Sequence, residues 1–221
     1  MKMSRISEHI WSLKSWVFIP IHVWLVVEED GVTLVDAGIP QMAKGILKAV
    51  DQIGAGPLKR IVLTHGHSDH VGAVKRILAS TPVPVYVHTI EIPFMEGDLA
   101  YPRRKKAAVS LEKEIVEPLP ADETGQLLPI GGLQPYFTPG HSPGHVIYWH
   151  ERDRVVFGGD LFTSKKGKLR RPMPMFTADM AEAVESSKVL FRLKPVHLEI
   201  CHGNPVHNPA DQLEEYLRQT L

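Results

Sequence analysis

At 221 residues the chain is long enough for one substantial domain, and a hydrophobic content of 43% supplies a core and excludes a disordered chain. Twenty-five Lys and Arg balance 25 Asp and Glu, which removes the broad positive field of a nucleic-acid binder. The single cysteine, Cys201, excludes an internal disulfide and fits a reducing compartment.

Met1 to Lys14 mixes charged and apolar residues without the continuous apolar stretch of a secretion signal. Nothing approaches the roughly 20 apolar residues of a spanning helix. A cytoplasmic protein with no membrane partner is expected.

The first clear element is a β-hairpin, with strands Val23–Val27 and Val32–Val35 about a turn at Asp30-Gly31, ending on Asp36-Ala37-Gly38. Met42, Ile46, Leu47 and Val50 form the apolar stripe of a helix over 41–53. Ile61-Val62-Leu63 is a short apolar strand core leading through Thr64 to His65. Beyond it, a helix capped by Ser68 would carry Val71, Val74, Ile77 and Leu78 on one face.

Pro82 to His88 reads as a strand, which its prolines place towards an edge. The polar segment 91–128 reads as a helical insertion or lid, with its best helix from Lys105 to Val116. Strand character returns over 133–138, 146–149 and 155–158. A helix over 178–191, a strand over 196–201 and a last helix over 210–221 follow. The two similar halves suit stacked sheets with helices outside, within a single domain of residues 1–221.

Twelve histidines carry most of the chemical information. In His65-x-His67-x-Asp69-His70, the two histidines at i and i+2 of a strand end point to one side and can grip one ion. Entry into the helix turns Asp69 and His70 towards a second. Imidazole and carboxylate donors without thiolates suit Zn²⁺, Fe²⁺ or Mn²⁺. His141, Asp160 and His202 each lie just past an apolar strand, and their recurrence beside the dense run marks them as further ligands.

These pieces resemble the metallo-β-lactamase superfamily, in the branch of glyoxalase II-like hydrolases and acyl-homoserine-lactone lactonases. The matching stretches are Leu34 to Gly38, Thr64 to His70, Thr138 to His145, Gly158-Gly159-Asp160 and Cys201-His202-Gly203. The resemblance implies an α/β fold, the four-layer αβ/βα sandwich with two mixed β-sheets and outer helices. It implies two divalent metal ions, zinc foremost with iron or manganese as alternatives. His65, His67 and His141 fall on the first ion, and Asp69, His70 and His202 on the second, with Asp160 bridging. Asp36 matches a residue that orients a ligand.

The implied reaction is hydrolysis of an ester, lactone or thioester of a small-molecule substrate. Two ions would share a water and lower its pKa, and Asp69 would hold the nucleophile as the catalytic acid–base group. His145 is expected to hydrogen-bond behind the ligands. The remaining histidines are read as structural or exposed, and Cys201 as a small buried residue. Two basic clusters, Arg103–Lys106 and Lys165–Arg171, are read as solvated charge.

Thr163 stands where similar lactonases carry a tyrosine, and the chain runs nineteen residues past His202, short of a glutathione-binding extension. Three other activities stay open: a mononuclear iron sulfur dioxygenase, a β-lactamase-like or phosphodiester hydrolase, and a non-catalytic metal-binding module.

Overall fold

The computed structural model describes residues 1–220, and the chain forms two compact units. The first comprises Met1–Ala100 and Lys106–Leu119, the second Tyr101–Lys105 and Pro120–Leu221.

The first unit is built on a seven-stranded mixed sheet with its strands in sequence order: β1 (Lys2–Arg5), β2 (Ile10–Trp16), β3 (Pro20–Glu28), β4 (Gly31–Val35), β5 (Leu58–Val62), β6 (Val85–Val87) and β7 (Glu117–Pro118). β1 to β4 are antiparallel and β4 to β7 parallel. The expected hairpin is β3–β4. Two strands precede it that local patterning does not reveal, because β1 is exposed throughout and β2 lacks strict alternation. Pairing along the whole of β2 with β3 is what makes it a strand.

β4 is buried at every residue, as a strand covered on both faces must be. The helix α1 (Ala43–Ile53), preceded by a 3₁₀ turn at Pro40–Met42, buries Ile46, Ala49 and Val50 and ends on the left-handed Gly54.

Three expectations in this unit are corrected. The helix after His67 is two short pieces, α2 (Ser68–Val71) and α3 (Val74–Leu78), and Ser68 opens α2 instead of capping it. Gly72 lies at the break, where a Cβ would press on Pro40 and the carbonyl of Gly38. β6 is paired on both sides, so the edge belongs to the two-residue β7. Within the segment 91–128, only Ile92–Met95 is α-helical, giving α4.

No helix forms over 105–116. Glu114 has φ of +66°, outside helical space. The stretch is pinned in irregular form by Leu111, which is buried, and by the pairs Lys75–Glu112 and Lys113–Asp98.

The second unit holds a five-stranded mixed sheet in the order β14-β13-β10-β9-β8, with β8 (Gln134–Phe137), β9 (Val146–His150), β10 (Val155–Phe157), β13 (His197–Glu199) and β14 (Val206–His207). Only β10 and β13 run parallel. Its core joins Ile147, Val156 and Leu198 of the strands to Val184 of α5 (Met180–Ser186), Leu190 of α6 (Val189–Leu193) and Leu213 of α7 (Ala210–Thr220).

The single helix expected over 178–191 is split into α5 and α6. Ser187 returns its hydroxyl to the carbonyl of Val184, a bond that competes with the helix ladder. The second basic cluster lies on a hairpin of β11 (Thr163–Lys165) and β12 (Lys168–Arg170), which Gln212 of α7 ties down through Leu169 N–H and Gly167 C=O. Among the described residues no helix is long and apolar enough to cross a membrane.

Candidate metal centre

The first unit presents its donors at the end of β5. Because β4 and β5 are parallel with Val35 opposite Val62, the residues just beyond them, Asp36 and Thr64, meet. Asp36 has φ of +56°, a left-handed conformation that Asp tolerates better than most residues. That turn directs its fully buried carboxylate at Thr64, whose N–H and hydroxyl donate to it at 2.8 Å each. Asp36 Oδ2 also lies 2.8 Å from His70 Nδ1. An ionised carboxylate only accepts, so Nδ1 carries the proton and Nε2 of His70 keeps its lone pair for a metal.

The Thr64 hydroxyl fixes a second tautomer. Its one proton goes to Asp36, so His65 Nδ1, 3.1 Å away, must be the donor to Thr64 Oγ1. His65 Nε2 is thereby left with a lone pair, and it lies 2.9 Å from His67 Nδ1. One ion can span that separation with bonds of about 2.0–2.1 Å. The loop between the two histidines is braced by Glu91, a fully buried acid that accepts from Gly66 N–H at 3.0 Å. Asp69, half-buried in the first turn of α2, opens on a cleft of about 480 Å³ walled by Val17, Phe18, Ile19, Ile21 and Ile39.

The second unit presents its donors from three separate strand ends. Gly140 (φ +122°) turns the chain after β8, where any Cβ would be driven into the backbone of Ala183. His141 follows, and its Nδ1 lies 3.3 Å from Thr177 Oγ1. That hydroxyl donates to Met173 C=O at 2.9 Å, so His141 Nδ1 carries a proton and its Nε2 is the lone-pair nitrogen. Arg103 holds the Thr177 loop by donating to the carbonyls of Pro174 and Thr177. One residue of the first basic cluster is thus structural.

Asp160 closes the turn after β10, and His202 the turn after β13. Asp160 Oδ2 stands 3.5 Å from His141 Nε2 and 3.4 Å from His202 Nε2. These distances are long for N–H···O hydrogen bonds and suit three donors arranged around cations. His145, fully buried, accepts from Asp160 N–H at its Nε2 (3.2 Å), so its Nδ1–H donates to Thr138 Oγ1 at 3.0 Å. One donor atom each of Asp160, Cys201 and His202 lies within 4.8 Å of the others.

Each unit therefore gathers the residues that its sequence nominates. The first brings together Asp36, His65, His67 and His70, with Asp69 on the cleft beside them. The second brings together His141, His145, Asp160 and His202. Sequence reasoning missed Thr64, Glu91 and Thr177 as orienting groups, and read Cys201 as a small buried residue, which it is. Glu91 is a single acid in a polar stretch, and no spacing announces it. The donor set of imidazoles and carboxylates fits divalent metal ions.

Comparison with known proteins agrees with this chemistry. Residues 16–197 match the model of the metallo-beta-lactamase superfamily. A probable metallo-hydrolase, YybB of Bacillus subtilis (strain 168), is 35% identical, the match covering 98% of each chain. A hydroxyacylglutathione hydrolase of Methylobacterium nodulans is 31% identical, over 67% of this chain and 52% of its own. The crystal structure of TTHA1623 in a di-iron-bound form superposes with a TM-score of 0.70 at 30% identity, covering 90% of this chain and 96% of that one.

Proposed function

Since the chain belongs to the metallo-β-lactamase superfamily, with its α/β fold, and is a metallo-hydrolase, we propose that it is a binuclear hydrolase of a small-molecule ester, lactone or thioester. The observation that carries this reading is the Asp160 carboxylate oxygen standing between two imidazole nitrogens, with His141 Nδ1–H donating to Thr177 Oγ1. A carboxylate so placed is the group that two cations can share.

In this reading His65, His67 and His141 would hold one ion and Asp69, His70 and His202 the other, with Asp160 placed to serve both. Bound divalent ions supply the acidity that makes hydroxide available near neutral pH and polarise the substrate carbonyl. Asp36 and Thr64 keep His70 and His65 in the tautomers that leave Nε2 to bind. Asp69 orients the attacking water through a carboxylate oxygen, takes up its proton and delivers it to the departing oxygen or sulfur. The apolar walls beside Asp69 receive the hydrocarbon part of the substrate and exclude water.

Zinc is the favoured metal on donor type, with iron or manganese as alternatives; the di-iron form of TTHA1623 supports a pair of ions. No nucleic-acid or membrane partner enters this reading, as the balanced charge suits a small ligand.

The test is metal analysis of the purified protein joined to a hydrolysis panel of lactones, thioesters, phosphoesters and β-lactams. Two ions per chain are expected, with turnover of a carboxylic ester or thioester. Asp69→Asn should lower kcat by about 10²–10⁴-fold. One iron per chain with oxygen uptake, or unchanged turnover in Asp69→Asn, would overturn the proposal.

A further inference from the structure

Cys201 is more than a small core residue. β10 and β13 are parallel, with Phe157 opposite Glu199, so their outgoing turns run side by side. Two backbone bonds lock them: Gly158 N–H donates to Glu199 C=O at 2.8 Å, and Cys201 N–H to Gly159 C=O at 3.2 Å. The thiol is fully buried in that seam. Its sulfur shares a radius of 4.8 Å with a carboxylate oxygen of Asp160 and an imidazole nitrogen of His202. Past His202 the chain has little freedom, since a Cβ on Gly203 would meet the Ser164 side chain and backbone. Three donors of three chemical types are thus carried on two locked turns.

We infer that Cys201 is a metal ligand, its thiolate joining Asp160 and His202 on the second ion. This rests on the assignment of Asp160 and His202 to that ion. Bond lengths of about 2.3 Å to sulfur and 2.0–2.2 Å to nitrogen and oxygen let one ion span such a set after small side-chain rotations. Binding exchanges the thiol proton for the metal and releases that proton to solvent. A soft thiolate strengthens the bias of the position towards zinc or cobalt over manganese beyond what imidazole and carboxylate donors alone give. The two ions then occupy chemically different positions, one with nitrogen and oxygen donors and one with sulfur as well.

The experiment uses the full chain, stripped with chelator and reloaded with Co²⁺. The wild type should show visible d–d bands of bound cobalt together with an intense near-ultraviolet thiolate-to-cobalt charge-transfer band. Cys201→Ser should lose the charge-transfer band, keep d–d absorption, and weaken zinc at one of two positions by at least about tenfold in chelator competition. Manganese affinity should change by less.

Visible bands without a charge-transfer band in the wild type would overturn the inference while leaving the binuclear site standing. Failure to bind cobalt at all would overturn both. The wild-type spectrum decides the matter even if Cys201→Ser folds poorly.

Discussion

The two units solve one chemical problem in different ways. In the first, the histidines come from one unbroken run, His65 to His70, and a single carboxylate on the neighbouring strand, Asp36, sets two tautomers through Thr64 and His70. In the second, His141, Asp160 and His202 come from three strand ends, each with its own support: Thr177 for His141, His145 for Asp160, and the locked β10–β13 turns for His202. A local run needs one orienting group, whereas a dispersed set needs a rigid sheet. The first design concentrates vulnerability at Asp36; the second spreads it, except at Asp160.

That contrast ranks the substitutions. Asp160→Asn should have the largest effect, because in the proposed site it removes the negative charge that two ions would share. More than about 100-fold loss of metal affinity is expected, beyond the range of groups that act only through a ligand, and chelator competition measures it. A loss no greater than that of Asp36→Asn would break the comparison.

Asp36→Asn comes next. The amide has one acceptor oxygen for three donors, so the His70 and His65 tautomers are no longer enforced. About 10–100-fold weaker metal binding is expected, together with about 1–3 kcal/mol lost in denaturant unfolding of the metal-free protein. Thr177→Val should do least among these, as it removes two neutral bonds, from His141 and to Met173 C=O, each worth about 0.5–1.5 kcal/mol, and leaves the Arg103 clamp intact. If Thr177→Val matched Asp36→Asn in metal affinity, the idea of distributed support would fail.

The smallest effect is a pH slope. Burial holds His88 of the first unit below its ordinary value, and burial, then the neighbouring His207, does the same for His197 of the second. The unfolded chain takes up these protons near pH 6.5, while the folded chain takes them up only at lower pH. Stability is therefore greatest above about pH 6.5 and declines as the pH falls towards the folded values. Unfolding of the metal-free protein at pH 7 and pH 5 should show a shallower decline in His88→Asn than in the wild type. His197→Asn should flatten it less, because His197 is less buried.

Much of this was legible because strand ends and ligand spacing are local facts. The apolar runs before His65, Asp160 and His202 announce both the strands and the donors. The β3–β4 hairpin follows from Asp30-Gly31 and its flanking apolar residues. Other features were not legible. β2 exists because β3 pairs with it, and the stretch 105–116 stays irregular because Leu111 is drawn into the core and Glu114 leaves helical space.

Sequence alone determined the family and nominated the candidate donors, since these depend on chemistry and short-range order. Tertiary structure decided which nitrogen of His65, His70 and His141 is left to bind, through Thr64, Asp36 and Thr177, none of them adjacent to all that it orients. It also decided that the buried Cys201 stands among donors, because parallel strands bring together turns that lie far apart in the chain.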